Sequence, residues 1–279
     1  AETLGEVTTE SDALTQNAYL HMGLAYLHLA EKNKARMAFE QAAASNANLK
    51  IKEQAAYNYA LCIHETSYSA FGESVTVFEK FLNEFPNSEY AEMVSSYLVE
   101  VYMNTRSYEA ALKLIDRIAH PGKRILEAKQ RILFQLGTQA FANTQFEQAI
   151  GYFDRSLGLG QYNRQTKADA LYWRGEAYYR LNRMEEAKRN FTDYLQLTQQ
   201  THNKMYALAH YNLGYIAFHQ KDYTQAQNWF RKYISLEKGE NKTALADAYN
   251  RIGDCYLDVR NFDEAKHYYS QAEAMNTPS

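Results

Sequence analysis

Small, bulky apolar and polar side chains recur along this chain in a fixed order. A small residue or valine fills the first slot of each recurrence: Gly23, Ala60, Val99, Gly137, Gly175, Gly214 and Gly253. A second small residue follows twelve positions later, at Ala35, Ala111, Ala149, Ala187, Ala226 and Ala265, and in the second unit Ser74 fills this role two positions late. A bulky residue comes four positions after each of these, at Phe39, Phe78, Ile115, Phe153, Phe191, Phe230 and Tyr269. These offsets predict two amphipathic helices joined by a tight turn, with small residues where the helix backbones approach closely.

The hairpins repeat at a nearly constant interval. Ala187 and Ala226 are 226 − 187 = 39 residues apart, and so are Ala226 and Ala265. All three prolines, Pro86, Pro121 and Pro278, fall in the segments between hairpins, where a helix must stop. Ser107, Asp222 and Asn261 precede second helices and are predicted to cap them. The chain is therefore predicted to be all-α.

The order of small residue, tyrosine, alanine, phenylalanine and closing proline resembles the tetratricopeptide repeat (TPR), a helix–turn–helix unit of about 34 residues. The resemblance implies a right-handed α-solenoid of about seven repeats, since each hairpin must stack on its neighbours to bury its apolar face. The repeats are expected near residues 16–49, 53–88, 92–125, 130–163, 168–201, 207–240 and 246–279. The N-terminal stretch AETLGEVTTESDALTQ reads like an internal connector, so residues 1–279 are expected to be one solenoid from a longer array.

Composition and scattered reactive residues argue against several function classes. The formal net charge of −3 disfavours nucleic acid as a partner, and no apolar run is long enough for membrane insertion. Cys62 and Cys255 belong to no metal or redox spacing and are predicted to be buried thiols. The eight histidines form no metal-binding motif, and His210 occupies a slot that is usually large and apolar, which predicts a packing role. No catalytic motif occurs, so neither an enzyme nor a cofactor or metal site is predicted.

A groove lined by the first helices is the expected functional surface. The family resemblance implies that positions 2, 5, 9, 12 and 13 of each repeat face inward and hold an extended peptide or a partner helix, when the small first-slot residue is counted as position 8. Aromatic rings offer large contact area with little side-chain entropy to lose. The candidate partner-binding residues are Tyr57, Phe134, Phe141, Tyr172, Tyr179, Arg180, Tyr211, Tyr215, Phe218, Asp247, Asp254 and Asp258.

The resulting hypothesis is a non-enzymatic scaffold that binds a protein or peptide. The carboxylates of Asp247, Asp254 and Asp258 favour a partner with a basic segment, and ends without a polar capping helix would allow self-association. The segment from Phe78 to Tyr102 is similar to long-connector repeats of bacterial envelope TPR proteins, which implies a periplasmic or outer-membrane-associated location. The alternative is a cytoplasmic sensor or ligand-binding module of a larger regulatory protein.

Overall fold

Helical hairpins follow one another along the whole described part of the chain. A computed structural model describes residues 2–66 and 70–276, with side chains for residues 12–66 and 72–276. These residues form fourteen helices and no strand: α1 Glu2–His28, α2 Lys32–Ala44, α3 Leu49–Thr66, α4 Ala70–Glu84, α5 Ala91–Asn104, α6 Tyr108–Asp116, α7 Lys123–Ala142, α8 Phe146–Leu157, α9 Arg164–Arg180, α10 Met184–Thr198, α11 Tyr206–His219, α12 Tyr223–Leu236, α13 Lys242–Asp258 and α14 Phe262–Asn276. The predicted all-α solenoid of repeats is confirmed.

The chain divides into two compact units. Unit 1 comprises Ala1–Ile132 and unit 2 comprises Leu133–Ser279. In each unit, helices pack mainly against their neighbours in sequence, as α1 does on α2 and α13 on α14. This local pattern follows from the repeat, because each hairpin supplies half of the apolar core that it shares with the next.

The closest packing inside a hairpin joins a glycine of the first helix to an aromatic ring of the second. A Cβ atom built on Gly214 would lie 2.7 Å from Cε1 of Phe230, and one on Gly253 would lie 2.7 Å from Cε1 of Tyr269. Phe230 is fully buried. A side chain on Gly214 or Gly253 would overlap the ring in the position that it occupies. The predicted close approach at the small first slot is therefore confirmed.

Each described hairpin turn contains one residue in the left-handed region, seven positions after the small first-slot residue. These residues are Ala30, Arg106, Thr144, Asn182, Lys221 and Arg260, with φ between 58° and 60°. In the turn after α11, Asp222 N donates to Ala217 O at 2.9 Å and Lys221 N donates to Phe218 O at 3.0 Å. This pair of bonds is a Schellman motif, which satisfies the last carbonyl groups of the first helix and reverses the chain.

Side-chain caps fix only some of the helix starts. Asp222 accepts from Gln225 N at 3.2 Å, and Asn261 accepts from Glu264 N at 3.4 Å, as predicted. Ser107 was expected to cap α6 but makes no side-chain cap hydrogen bond. Its hydroxyl instead lies 3.1 Å from that of Thr105.

Two further expectations concern the chain ends. The N-terminal stretch is not a connector, because α1 begins at Glu2 and runs without a break to His28. That stretch contains no proline to end a helix, and its polarity alone does not prevent one. Pro278 lies outside the described residues.

Replacing Gly214 with alanine tests the glycine–ring contact. The new methyl group would overlap Phe230, so we expect the free energy of unfolding to fall by about 1–3 kcal/mol. The matched control is Gly151→Ala in α8, where an added Cβ meets nothing within 4 Å. Because alanine is the better helix former, the control should gain up to about 1 kcal/mol. Urea unfolding followed by circular dichroism separates the two, and equal responses would contradict the packing described above.

Replacing Thr144 with glycine tests the strain in the hairpin turns. Thr144 is β-branched and holds φ at 60°, so glycine should raise the free energy of unfolding by about 1 kcal/mol. Asn182→Gly is the control, since Asn182 has the same conformation (φ 59°) but tolerates it better. A gain for Asn182→Gly as large as that for Thr144→Gly would show that backbone strain is not the cause.

Candidate functional site

A concavity in unit 2 is built by two first helices, α9 and α11. It has a volume of about 200 Å³. Its lining, which we call the tyrosine face, consists of Glu176, Tyr179, Arg180, Tyr211, Asn212 and Tyr215. Tyr179, Arg180, Tyr211 and Tyr215 come from the candidate set, so the structure brings four predicted residues together. Their proximity follows from the repeat, because α9 and α11 are equivalent helices of successive hairpins.

A hydrogen-bonded carboxylate forms the α9 side of the tyrosine face. The Asn212 side-chain amide donates to Glu176 Oε1 at 2.7 Å and to the Tyr172 hydroxyl at 2.9 Å. Tyr172 in turn donates to Glu176 Oε1 at 3.3 Å. Burial raises the pKa of Glu176, although the nearby Arg180 opposes the shift. A bridge between two repeats is therefore built around a partly desolvated acid.

Tyr172 does not have the exposure expected of a groove residue. Its side chain is 2% exposed, and its ring packs edge-on against Phe191 with 5.4 Å between centroids. Burial, followed by the charge of Glu176, raises the pKa of its hydroxyl. The ring of Tyr172 fills the core of the hairpin. Its hydroxyl supports the tyrosine face through the hydrogen bonds with Asn212 and Glu176.

A second carboxylate fixes the α11 side of the face. Asp247 Oδ2 accepts from the Tyr211 hydroxyl at 2.7 Å and also from the Tyr215 hydroxyl. Asp247 Oδ1 lies 3.6 Å from Arg251 Nε. Burial and the hydrogen bond to Asp247 raise the pKa of Tyr211 and bring that of Tyr215 to about 12. Both hydroxyls are therefore protonated donors at neutral pH.

The rings of the tyrosine face are held in defined orientations. Tyr211 and Tyr215 meet edge to face at 5.1 Å, and Tyr215 stands at 89° to the buried ring of Phe230. The Tyr179 hydroxyl lies 2.9 Å from His219 Nε2. Such contacts restrict the side chains before any partner binds, which lowers the entropy lost on binding.

The aromatic surface continues from Arg180 toward α7. The guanidinium of Arg180 lies 5.7 Å from the Phe141 ring centre and 5.9 Å from that of Phe146. Phe141 also packs edge-on against Trp173 at 5.3 Å. The guanidinium of Arg180, held over two rings, extends the polar and aromatic surface from α9 and α11 to α7, which is the first helix of another hairpin.

Three candidate aromatic residues pack elsewhere. Phe134 lies 5.9 Å from the core ring of Phe153, and Phe218 meets Tyr223 edge-on at 5.6 Å. Both contacts are within single hairpins of unit 2. Tyr57 belongs to unit 1, where it stacks on Tyr90 at 4.2 Å. None of the three lines the tyrosine face.

The expected acidic end is largely neutralised inside the protein. Arg251 pairs with Asp254 at 3.0 Å as well as with Asp247. Asp254 also accepts a hydrogen bond from Tyr269. Asp258, at the end of α13, is exposed. Of the three carboxylates expected to attract a basic segment, two are already bound to an arginine.

Glu176, Arg251 and Asn212 belong to this network but not to the candidate set. Glu176 stands at inward-facing position 9 of its repeat, so the repeat pattern could have found it. Arg251 could have been found, because it stands four residues after Asp247 and three before Asp254 on the same helix. Asn212 had no such signal, since its partner Glu176 is 36 residues away. A contact between repeats of this kind requires the tertiary structure.

Other kinds of site find little support in the described part of the chain. No group of three or more His, Cys, Asp and Glu residues there could hold a metal ion. Among the same residues, no helix combines the length and the apolarity needed to cross a membrane. Cys62 and Cys255 are buried and free, as predicted. His210 is buried as well, which confirms its packing role.

Comparison with known sequences identifies the repeat. Models of the tetratricopeptide repeat family match residues 16–49, 134–198 and 205–277. Together these matches cover more than half of the 279 residues. An uncharacterized protein, ycf37 of Guillardia theta, is 40% identical over 62 residues, which are 22% of this chain and 35% of that protein. The chain thus matches about a third of the length of this curated relative.

Solved structures show the same fold. The TPR protein YrrB, described as having an unusual peptide-binding site, is 17% identical, with a TM-score of 0.50 over 71% of this chain and 92% of its own. The apo form of RapI is 11% identical, with a TM-score of 0.51 over 93% of this chain and 76% of its own. At these identities the likeness concerns the fold alone.

The raised pKa of Glu176 predicts a pH-dependent effect of Glu176→Gln. The folded protein disfavours the charged carboxylate, so stability present below the unfolded pKa of about 4.3 is lost as pH rises through the raised folded value. Glutamine keeps the acceptor oxygen without the charge. We expect the variant to melt roughly 2 °C or more above the parent at pH 7, with the difference vanishing near pH 4.

The control for this experiment is Glu273→Gln on α14, which changes an exposed carboxylate. It should leave the melting temperature unchanged relative to the parent at both pH values. A Glu176→Gln variant that is less stable than the parent at pH 7 would mean that Arg180 and the hydrogen bonds outweigh burial.

Proposed function

The chain belongs to the tetratricopeptide repeat family, and from this premise we propose that the tyrosine face binds a segment of a partner protein. Proteins of this fold generally serve as scaffolds for protein–protein interaction. The observation that supports the location is the group of oriented rings and polar side chains around the concavity between α9 and α11. It offers apolar area, hydroxyl donors and one cation within a single surface.

The tyrosine face suits a polypeptide because it combines ring surface with fixed polar groups. Tyrosine and arginine contribute much of the binding energy in many protein interfaces. The contacts of Tyr211, Tyr215 and Asn212 with half-buried carboxylates hold these side chains in place, so binding a partner would cost little additional side-chain entropy. A peptide chain carries both apolar side chains and backbone polar groups, and can match both features.

The geometry favours a partner that is recognised through contacts of its apolar side chains and backbone with the tyrosine face, rather than through a basic segment. Asp247 and Asp254 share Arg251, so an incoming lysine or arginine would have to compete with an existing ion pair. Asp258 is the candidate carboxylate that offers an exposed charge to such a segment. A basic segment would therefore contact the C-terminal end of α13 as a secondary feature.

The alternative function and the location stay predictions. A sensor module of a larger regulatory protein would share this fold, and the full-length sequence would distinguish it through an attached output domain. A periplasmic location would require an export signal in that sequence. Binding to the tyrosine face is compatible with either location.

Peptides selected by phage display against the whole chain provide the test. We expect Tyr179→Ala combined with Arg180→Ala to weaken the selected peptides at least tenfold, or about 1.4 kcal/mol, measured by isothermal titration calorimetry. Both side chains line the concavity and neither is fully buried, so the double variant should keep its helical circular dichroism.

The matched control is Arg189→Ala on α10, which removes an exposed arginine outside the concavity. It should bind the selected peptides as the parent does. If the double variant retains the parent affinity for all selected peptides, the tyrosine face is not the binding site.

A further inference from the structure

Unit 1 contains a groove between its second helices. At the corresponding places in unit 2, larger side chains occupy this space. Helices α2 and α4 form its walls and α3 its floor, and the cavity measures about 370 Å³. Volumes of this size lie in the range of sites that bind ligands and side chains. We call it the α2–α4 groove. Three of its small lining residues, Ala43, Ala56 and Val77, leave this space open.

The repeat identifies the residues that occupy the same three positions elsewhere. Ala43 comes four residues after the core ring Phe39, Ala56 four before Ala60, and Val77 one before Phe78. Where repeats five and six of the predicted set meet, the corresponding residues are Leu195, His210 and Trp229. Where repeats six and seven meet, they are Ile234, Tyr249 and Tyr268.

In unit 2 these larger side chains fill the space between the second helices. His210 lies 5.8 Å from the Trp229 ring, and Leu195 and Trp229 pack against the same buried core. Tyr249 and Tyr268 are 6.3 Å apart at the following junction. At both of these junctions, an aromatic ring carried by the second helix (Trp229 or Tyr268) therefore closes the equivalent groove.

The junction between repeats one and two is unusual within the sequence. At each of the other five junctions, at least one of the three positions carries leucine or an aromatic residue. At the α2–α4 groove, none of the three positions carries a residue larger than valine. Unit 1 therefore has no counterpart of the Trp229 ring at these positions, and the groove between them, which Tyr59 and Phe81 also line, stays open.

The rim of the groove carries charges of both signs. Lys80 and Glu84 stand one turn apart on α4, while Glu40 lies on α2 and Lys52 on α3. Lys52 and Glu84 also border an adjoining depression that contains Leu49, a side chain 66% exposed. A groove lined by small apolar residues, the rings of Tyr59 and Phe81 and charges of both signs fits a chain segment with acidic and basic residues better than a purely apolar molecule.

We propose that the α2–α4 groove is a second binding site, which receives one large aromatic side chain from a short helical segment of a partner protein with both acidic and basic residues. The ring would occupy the space that Trp229 takes in unit 2, and the charges beside it would pair with Lys80 and Glu84. This site is separate from the tyrosine face, so one chain could hold two different partner segments.

The probe for the test is an alanine-based helical peptide with one central tryptophan flanked by glutamate and lysine four residues apart. Its partner peptide is identical except for alanine in place of tryptophan. Titration into the whole chain with labelled alanine and valine methyl groups should shift the signals of Ala43, Ala56 and Val77. We expect the tryptophan peptide to bind at least tenfold more tightly than the alanine peptide and than N-acetyl-tryptophanamide.

Filling the groove should remove this binding. The variant Ala43→Leu/Ala56→His/Val77→Trp copies the residues of the filled junction, and should lose at least tenfold in affinity while melting at or above the parent temperature. Val77→Trp alone provides the same readout should the triple variant fail to fold. The control, Met37→Trp, adds a ring to an exposed site on α2 outside the groove and should bind as the parent does.

Three results would overturn the proposal. The first is an absence of methyl shifts at millimolar tryptophan peptide, and the second is equal binding of the alanine peptide or of N-acetyl-tryptophanamide. The third is full retention of binding by the folded variants with a filled groove. The second would show that the groove does not select an aromatic side chain within a polypeptide.

Discussion

The contact between a small first-slot residue and a core ring is the constraint on which the hairpins depend. In the hairpin of α11 and α12, the absent side chain of Gly214 lets Phe230 lie against the first helix and exclude water. That contact sets how closely the two helices approach. The Schellman turn then returns the chain at a fixed angle, seven residues after the glycine. Repetition of these two features determines which side chains reach the surface of each hairpin.

The tyrosine face shows how this constraint produces a binding surface. Equivalent positions on α9 and α11 are brought side by side, so Glu176 of one repeat meets Asn212 of the next. Partly buried carboxylates are stabilised by hydrogen-bond donors, and Tyr211 and Tyr215 serve as such donors for Asp247. The polar groups that support the surface therefore also hold its rings in place.

The two units use the outer sides of their hairpins differently. In unit 2, His210 and Trp229 close the space between consecutive second helices, and this adds apolar contact beyond the hairpin cores. In unit 1, Ala56 and Val77 leave the corresponding space open. These positions thus differ between filled and open, while the hairpins of both units keep the same form.

The sequence by itself determined the hairpins, their spacing and the core positions, because these rest on short-range periodicity and on the size of single residues such as Gly214 and Phe230. It also indicated the first helices as the source of a functional surface. The tertiary structure decided which side chains remain accessible: the ring of Tyr172 is buried, while Tyr179 lines the concavity. It also decided that Asp247 is occupied by two tyrosines and Arg251. Burial and pairing between residues more than thirty positions apart depend on how repeats stack, which the periodicity of one repeat does not encode.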